Sequence, residues 1–350
     1  MKPSRNRWAL KCGVLTVFLA AVIAGVGPAA RAAETEGVFA IAKRLGRGVN
    51  VIGYDPLWKD RARARFQPEH FKLIHEAGFT HVRIPLHPFR DAPRGQGDQI
   101  GENYLKTMDW VIEQTRANKL MVILDFHEFQ AMAKDPAANK ARFLTMWGQI
   151  AERYKDQADD VVFEILNEPN GTLTPELWNQ YLADALAVIR KTNPTRAVII
   201  GPAQWNNINQ LDKLVLPEQD RNLIVTVHYY SPFDFTHQGA SWAGKGDKIG
   251  VPWDGTDKDK AAVTKDFDKA AAWAAKQNRP VYLGEFGAYD KAEMSARVRW
   301  TSFVAREAEK RGWAWGYWQF DGDFIVYDIN GKKWVEPIRD ALIPPPGRNQ

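Results

Sequence analysis

Eight short, almost continuously apolar runs recur along this 350-residue chain and constrain its fold more than any single residue does. They are GVNVIG (48–53), HVRIPL (81–86), MVILDF (121–126), VVFEIL (161–166), AVIIG (197–201), LIVTVHYY (223–230), PVYLGEFG (280–287) and WAWGYWQF (313–320). Their shortness and their β-branched and aromatic content fit strands covered on both faces. Most of the intervals between them carry helical spacing, as in Leu105, Met108 and Ile112, in Phe143, Trp147, Ile150 and Tyr154, and in Leu177, Tyr181, Leu186 and Ile189. Gly78, Asn193-Pro194 and Gly312 punctuate helix ends. Eight such units without a Pro/Ser/Gly-rich linker predict an α/β fold, a single (β/α)8 TIM barrel, with its site at the carboxyl ends of the strands. A doubly wound open sheet is the main rival. It usually carries a glycine-rich phosphate loop after an early strand, whereas YDPLWKD follows the first strand here.

Residues 1–33 read differently. A basic start (Lys2, Arg5, Arg7, Lys11) leads into VLTVFLAAVIAGVG and ends in Ala30-Arg31-Ala32. This is the layout of a signal peptide cleaved after Ala32 or Ala33, with an apolar run shorter than the roughly 20 residues a membrane span needs. The expectation is therefore an exported catalytic domain, residues 34–350, periplasmic or secreted, without a membrane anchor. The leader holds five of the 47 basic residues and none of the 42 acidic ones, so the mature chain is formally neutral. The overall basic balance then reflects targeting and argues for no nucleic-acid partner. Cys12, the one cysteine, leaves with the leader, so stability must come from a large core rather than disulfides.

Polar residues cluster where the apolar runs end. Arg83 lies in the second run, His127 just past the third, Asn167 and Glu168 past the fourth, His228 and Tyr230 at the end of the sixth, Glu285 near the end of the seventh and Trp318 near the end of the eighth. All fall at one rim of the expected barrel, where burying so many polar groups is costly unless they pair with one another or with a ligand. Two glutamates at such a rim are the minimum equipment for cleaving a glycosidic bond.

The fragments V-R-I-P, D-F-H, L-N-E-P, H-Y-Y, G-E-F-G and Y-W, in this order, resemble glycoside hydrolase family 5, over roughly residues 45–345. The resemblance implies a retaining mechanism with Glu285 as nucleophile and Glu168 as general acid and then base. It also implies that Arg83 and Tyr230 hold Glu285, that Asn167 meets the substrate 2-hydroxyl, that His127 and His228 orient the sugar and the carboxylates, and that Trp318 forms an apolar floor. The implied activity is that of an endo-β-1,4-glucanase on a β-linked polysaccharide, with no cofactor and no metal, acting as a monomer. β-Mannanases, β-1,3-glucanases and xyloglucan-cleaving enzymes of the family share the same set.

Other readings of these residues stay open. The glutamates could be solvated strand-end charges, the histidines satisfied rim residues, and Trp313 and Trp315 barrel packing. Asp125 and Glu128 flank His127 without an assigned role. Trp58, Trp205, Trp242 and Trp253 fall in expected βα loops and are candidate sugar platforms or, alternatively, pins for long loops. A noncatalytic carbohydrate-binding barrel would keep the tryptophans but has no need of both glutamates. A metal-dependent hydrolase could draw on Asp125, His127 and His228, but no tight ligand spacing supports it.

Overall fold

A computed structural model describes Met1 and residues 28–92 and 96–345. Eight parallel strands close into a barrel in sequence order, with the first also paired to the last. They are β1 (Arg47–Asn50), β2 (His81–Leu86), β3 (Met121–Phe126), β4 (Val161–Glu164), β5 (Val198–Ile200), β6 (Leu223–Tyr229), β7 (Val281–Phe286) and β8 (Ala314–Tyr317). All eight expected runs become strands, and β2 and β3 keep their expected bounds. The helices between them bury one face against the barrel wall, as Phe143, Met146, Trp147 and Ile150 do from the helix Pro136–Arg153. Among the described residues one further strand pair, Tyr327–Asp328 with Lys333–Trp334, was not expected from the sequence.

The amino-terminal floor of the barrel has its own cluster. Val38, Ile41, Ala42 and Leu45 of the helix Pro28–Leu45 pack with Ile123, Val162, Ile199, Ile224 and Tyr282 of the strands. The expected cleavage point falls inside this helix, and the four floor residues lie beyond it. Residues 2–27, which carry most of the expected leader and Cys12, lie outside the described residues. Among the described residues no helix is long and apolar enough to cross a membrane.

The opposite end is where polar groups gather. A register shift in the β6–β7 pair between Val227 and His228 sets His228 directly beside Glu285. A bulge of this kind re-aims side chains at a barrel rim. Gly284 makes room for that arrangement, because a Cβ there would stand 2.5 Å from Thr226 Oγ1 and 3.0 Å from His228 Nε2.

Candidate active site

Arg83 is the hub of the rim. Its guanidinium is fully buried on β2. Nε and Nη2 bind the Glu164 carboxylate bidentately at 2.7 and 2.8 Å. Nη2 also reaches Asn167 Oδ1 at 2.8 Å and Asp125 Oδ2 at 3.0 Å, while Nη1 reaches Asn50 Oδ1 at 2.8 Å and Glu285 Oε1 at 2.7 Å. A planar fork can serve several acceptors at once in a way an ammonium cannot. Burial disfavours its charge, but Asp125, Glu164 and Glu285 around it hold the guanidinium firmly protonated.

Glu285 accepts from Arg83 at one oxygen and from Tyr230 Oη, at 3.1 Å, at the other. Glu168 sits just past β4 with its backbone in the left-handed region, φ 43°, a costly conformation for a residue with a Cβ. Its Oε1 lies 2.8 Å from His228 Nδ1, and the same nitrogen is 3.5 Å from Glu285 Oε2. Oxygens of the two glutamates come within 4.8 Å of each other. Burial pushes both carboxyls up to about 7. The hydrogen-bond donors favour ionisation of Glu285 first, because two of them converge on it and a charged group is among them.

His127 Nδ1 lies 2.5 Å from Asp125 Oδ2, and its Nε2 lies 3.2 Å from Asn167 Nδ2. The Nδ1–H of His127 thus donates to Asp125, and Asn167 donates to the other nitrogen. The Asn167 side chain also hydrogen-bonds the Glu168 carboxyl and so works against the upward push of burial there. The His127 ring stacks on Trp318, with centroids 5.7 Å apart and planes inclined by 11°. Burial pushes Asp125 up to about 7 despite Arg83 beside it.

Of the eight rim residues named from the sequence, His127, Glu168, His228, Tyr230, Glu285 and Trp318 line one cleft of about 1180 Å³, while Arg83 and Asn167 are buried behind them and hydrogen-bonded to each other. Of the four loop tryptophans, Trp205 and Trp242 line that cleft and are about half exposed or more, at 51% and 61%. Trp58 and Trp253 are buried, which favours the loop-pin alternative over the sugar-platform one. Trp58 is buried, donates from Nε1 to Ile52 O at 2.6 Å and stacks on Tyr104, so it pins the first loop. Trp253 is buried against Phe303. Trp315 is barrel packing, as the bland reading had it.

The sequence reading missed Glu164, Asn50 and Asn206 and left Asp125 without a role. Glu164 could have been found as an acid inside an apolar strand run, as Asp125 and Glu285 also are. Asn50 had no such signal; its Nδ2 donates to carbonyls of Gly284 and Tyr317, contacts that only the closed barrel creates. Glu168, His228 and Glu285 also form a group of donor atoms close enough to hold a cation. The hydrogen bonds of His228 already account for that closeness.

Comparison with known proteins bears on this geometry. The model of the cellulase family, glycosyl hydrolase family 5, matches residues 43–323. Endoglucanase H of Acetivibrio thermocellus is 32% identical over 88% of the chain, and Endoglucanase 3 of Fibrobacter succinogenes 26% over 86%. The chain spans only 34% and 53% of the lengths of these two curated relatives. Crystal structures of Thermotoga maritima Cel5A, one in complex with cellobiose and another with a mannotriose substrate, superpose with a TM-score of 0.82. They are 43% and 42% identical, and in both cases 87% of this chain matches 99% of that one. With a full barrel, a carboxylate pair at its carboxyl rim and a family match across most of its length, the chain belongs to glycosyl hydrolase family 5.

Proposed function

We propose that this protein is a retaining endo-β-1,4-glucanase in which Glu285 is the nucleophile and Glu168 the acid/base. The observation that carries the reading is the carboxylate spacing within 4.8 Å. Retaining glycosidases hold their carboxyls about 5–5.5 Å apart, whereas inverting ones need about 6.5–9.5 Å to admit a water. In the first step Glu285, ionised against Arg83 and Tyr230, attacks the anomeric carbon. The bond to the leaving oxygen breaks as Glu168 gives that oxygen its proton. In the second step Glu168 takes a proton from water, whose oxygen displaces Glu285 with net retention. In this reading Asn167 meets the sugar 2-hydroxyl, as the family resemblance implies, and Trp318, stacked on His127, offers a flat apolar face.

The names of the relatives and the Cel5A–cellobiose complex support a β-1,4-glucan as substrate. The mannotriose complex of the same relative gives a second reading, activity on β-mannan as well. We further read the chain as exported by a cleaved leader and as acting without a metal.

The test is reducing-sugar release from carboxymethylcellulose, barley β-glucan, mannan, xyloglucan and laminarin, with the anomer first formed followed by NMR. Cleavage of the first two to the β-anomer, lost in Glu285→Ala and Glu168→Ala, is the expected outcome. Release of the α-anomer first would overturn retention. Binding without cleavage, equal in both variants, would favour a noncatalytic binding barrel.

A further inference from the structure

After β5 the chain makes a turn that few sequences tolerate. Gln204, Trp205 and Asn206 follow one another with φ values of 58°, 61° and 53°. Left-handed backbone is costly for a residue with a Cβ, and three in succession persist only where the surroundings over-determine them. The turn sends neighbouring side chains in opposite directions. Trp205 goes out into the cleft, half exposed, while Asn206 is fully buried with its Nδ2 3.1 Å from His228 Nε2. Gly201 makes this possible, since a Cβ there would stand 2.0 Å from Asn206 Oδ1.

The other nitrogen of the same ring faces Glu168 Oε1 at 2.8 Å and Glu285 Oε2 at 3.5 Å. Two acceptors on that side favour a proton on Nδ1; a lone pair there would confront both carboxylates. The amide orientation agrees. With Nδ2 donating to Nε2, the unpartnered buried atom of Asn206 is its carbonyl oxygen. The reverse orientation would leave an amide nitrogen without an acceptor, the costlier of the two. Burial keeps the ring neutral at ordinary pH, lowering His228 to about 4. A neutral ring has one proton, and its position is set by what each nitrogen meets.

We propose that Asn206 is a positioning residue that fixes His228 with its proton on Nδ1, so that His228 donates to Glu168 Oε1 and leaves the other carboxyl oxygen to carry the proton given to the leaving group. This rests on the reading of Glu168 as acid/base. No atom is gained or lost by the relay: the imidazole proton stays on Nδ1 while the carboxyl proton moves from Glu168 to the glycosidic oxygen.

Asn206→Asp tests it. A carboxylate beside Nε2 reverses the tautomer or adds a second proton to the ring. The carboxyl proton of Glu168 is then drawn to Nδ1 or lost to solvent. General acid catalysis contributes about 10²–10⁴-fold where the leaving group needs it. The expected result is a loss of kcat/KM on cellotetraose of about 10²-fold, with dinitrophenyl β-cellobioside, whose leaving group needs no acid, hardly affected. Equal loss on both substrates, or loss on neither, overturns the proposal. Nitrogen NMR of ring-labelled histidine in the wild type reads the tautomer directly, without any variant. Protonated Nδ1 and bare Nε2 are expected, and the reverse overturns it. Glu168→Ala run alongside separates the two readings: equal loss on both substrates in that variant defeats the acid/base assignment, while the NMR result still decides the tautomer.

Discussion

Nη1 of Arg83 lies 2.7 Å from Oε1 of Glu285, and the rest of the guanidinium is committed to Glu164, Asp125, Asn167 and Asn50. One fully buried cation therefore balances three carboxylates drawn from three different strands. Removing one partner of a buried ionic cluster costs about 3–5 kcal/mol, because the others are left uncompensated. Arg83→Met should lower stability by that order in chemical denaturation and abolish hydrolysis. Arg83→Lys should recover little of either, since a single ammonium cannot span the fork. A stable, active Arg83→Lys would show that charge alone suffices.

Glu164 should behave as a support for Arg83 rather than as a reacting group. Glu164→Gln keeps the shape and one acceptor for the fork, so kcat should fall about tenfold with KM nearly unchanged, the pattern of a misaligned site. A rise in KM at constant kcat would instead place Glu164 in substrate binding.

Much of this arrangement was legible in the sequence and some of it could not be. β2 and β3 fill their apolar runs to the residue, whereas β4 to β8, equally buried along their length, stop short of theirs because the ladder ends before the apolar run does. β1 ends at Asn50, short of the expected Gly53: Val51 N–H still donates to Arg83 O at 3.0 Å, but Ile52 then leaves extended backbone at φ 57°. Glu168 and Glu285 could be located because each follows or ends an apolar run. Trp58 and Trp253 stayed open between platform and pin because a loop position does not reveal whether a ring faces the cleft or folds back on the barrel; Trp58 folds back to reach Ile52 O, six residues away. Asn206 was illegible because its role depends on a left-handed turn that no residue in GPAQWNN announces beyond Gly201.

The tryptophans make a paired prediction. Trp58→Ala removes a buried ring and orphans a carbonyl, and should cost about 3–5 kcal/mol of stability with the active fraction retaining its KM. Trp205→Ala should leave stability nearly unchanged and raise KM on long oligosaccharides about tenfold, as loss of a stacking face does. Denaturation curves and a KM series against chain length separate the two; equal KM effects would refute the division between pin and platform.

Chelation bears on the cluster of Glu168, His228 and Glu285. If hydrogen bonding alone draws these groups within 4.8 Å, dialysis against EDTA leaves the rate on β-glucan unchanged. Loss of activity restored by zinc would make this cluster a metal site.

The raised carboxyls give the pH dependence a definite sign. Burial, opposed by the Arg83 charge and reinforced by that of Glu164, takes Glu168 from its ordinary 4.5 to about 7 in the folded protein. Between those values the folded state binds the proton that the unfolded chain has released, so this group stabilises the fold at low pH and the contribution is lost as pH rises through about 7. Glu168→Gln carries a permanently neutral amide and is spared that loss. The melting temperature of the variant minus that of the wild type should therefore climb from about pH 4.5 to about 7 and level off above. The groups facing Glu168 across the rim, His228, Glu285, Glu164 and Arg83, are common to both proteins and largely cancel in the difference. Activity should fall over the same upper range, because an ionised Glu168 has no proton to give the leaving oxygen. A flat difference curve, with activity persisting well above pH 7, would mean that the proton resides on another group.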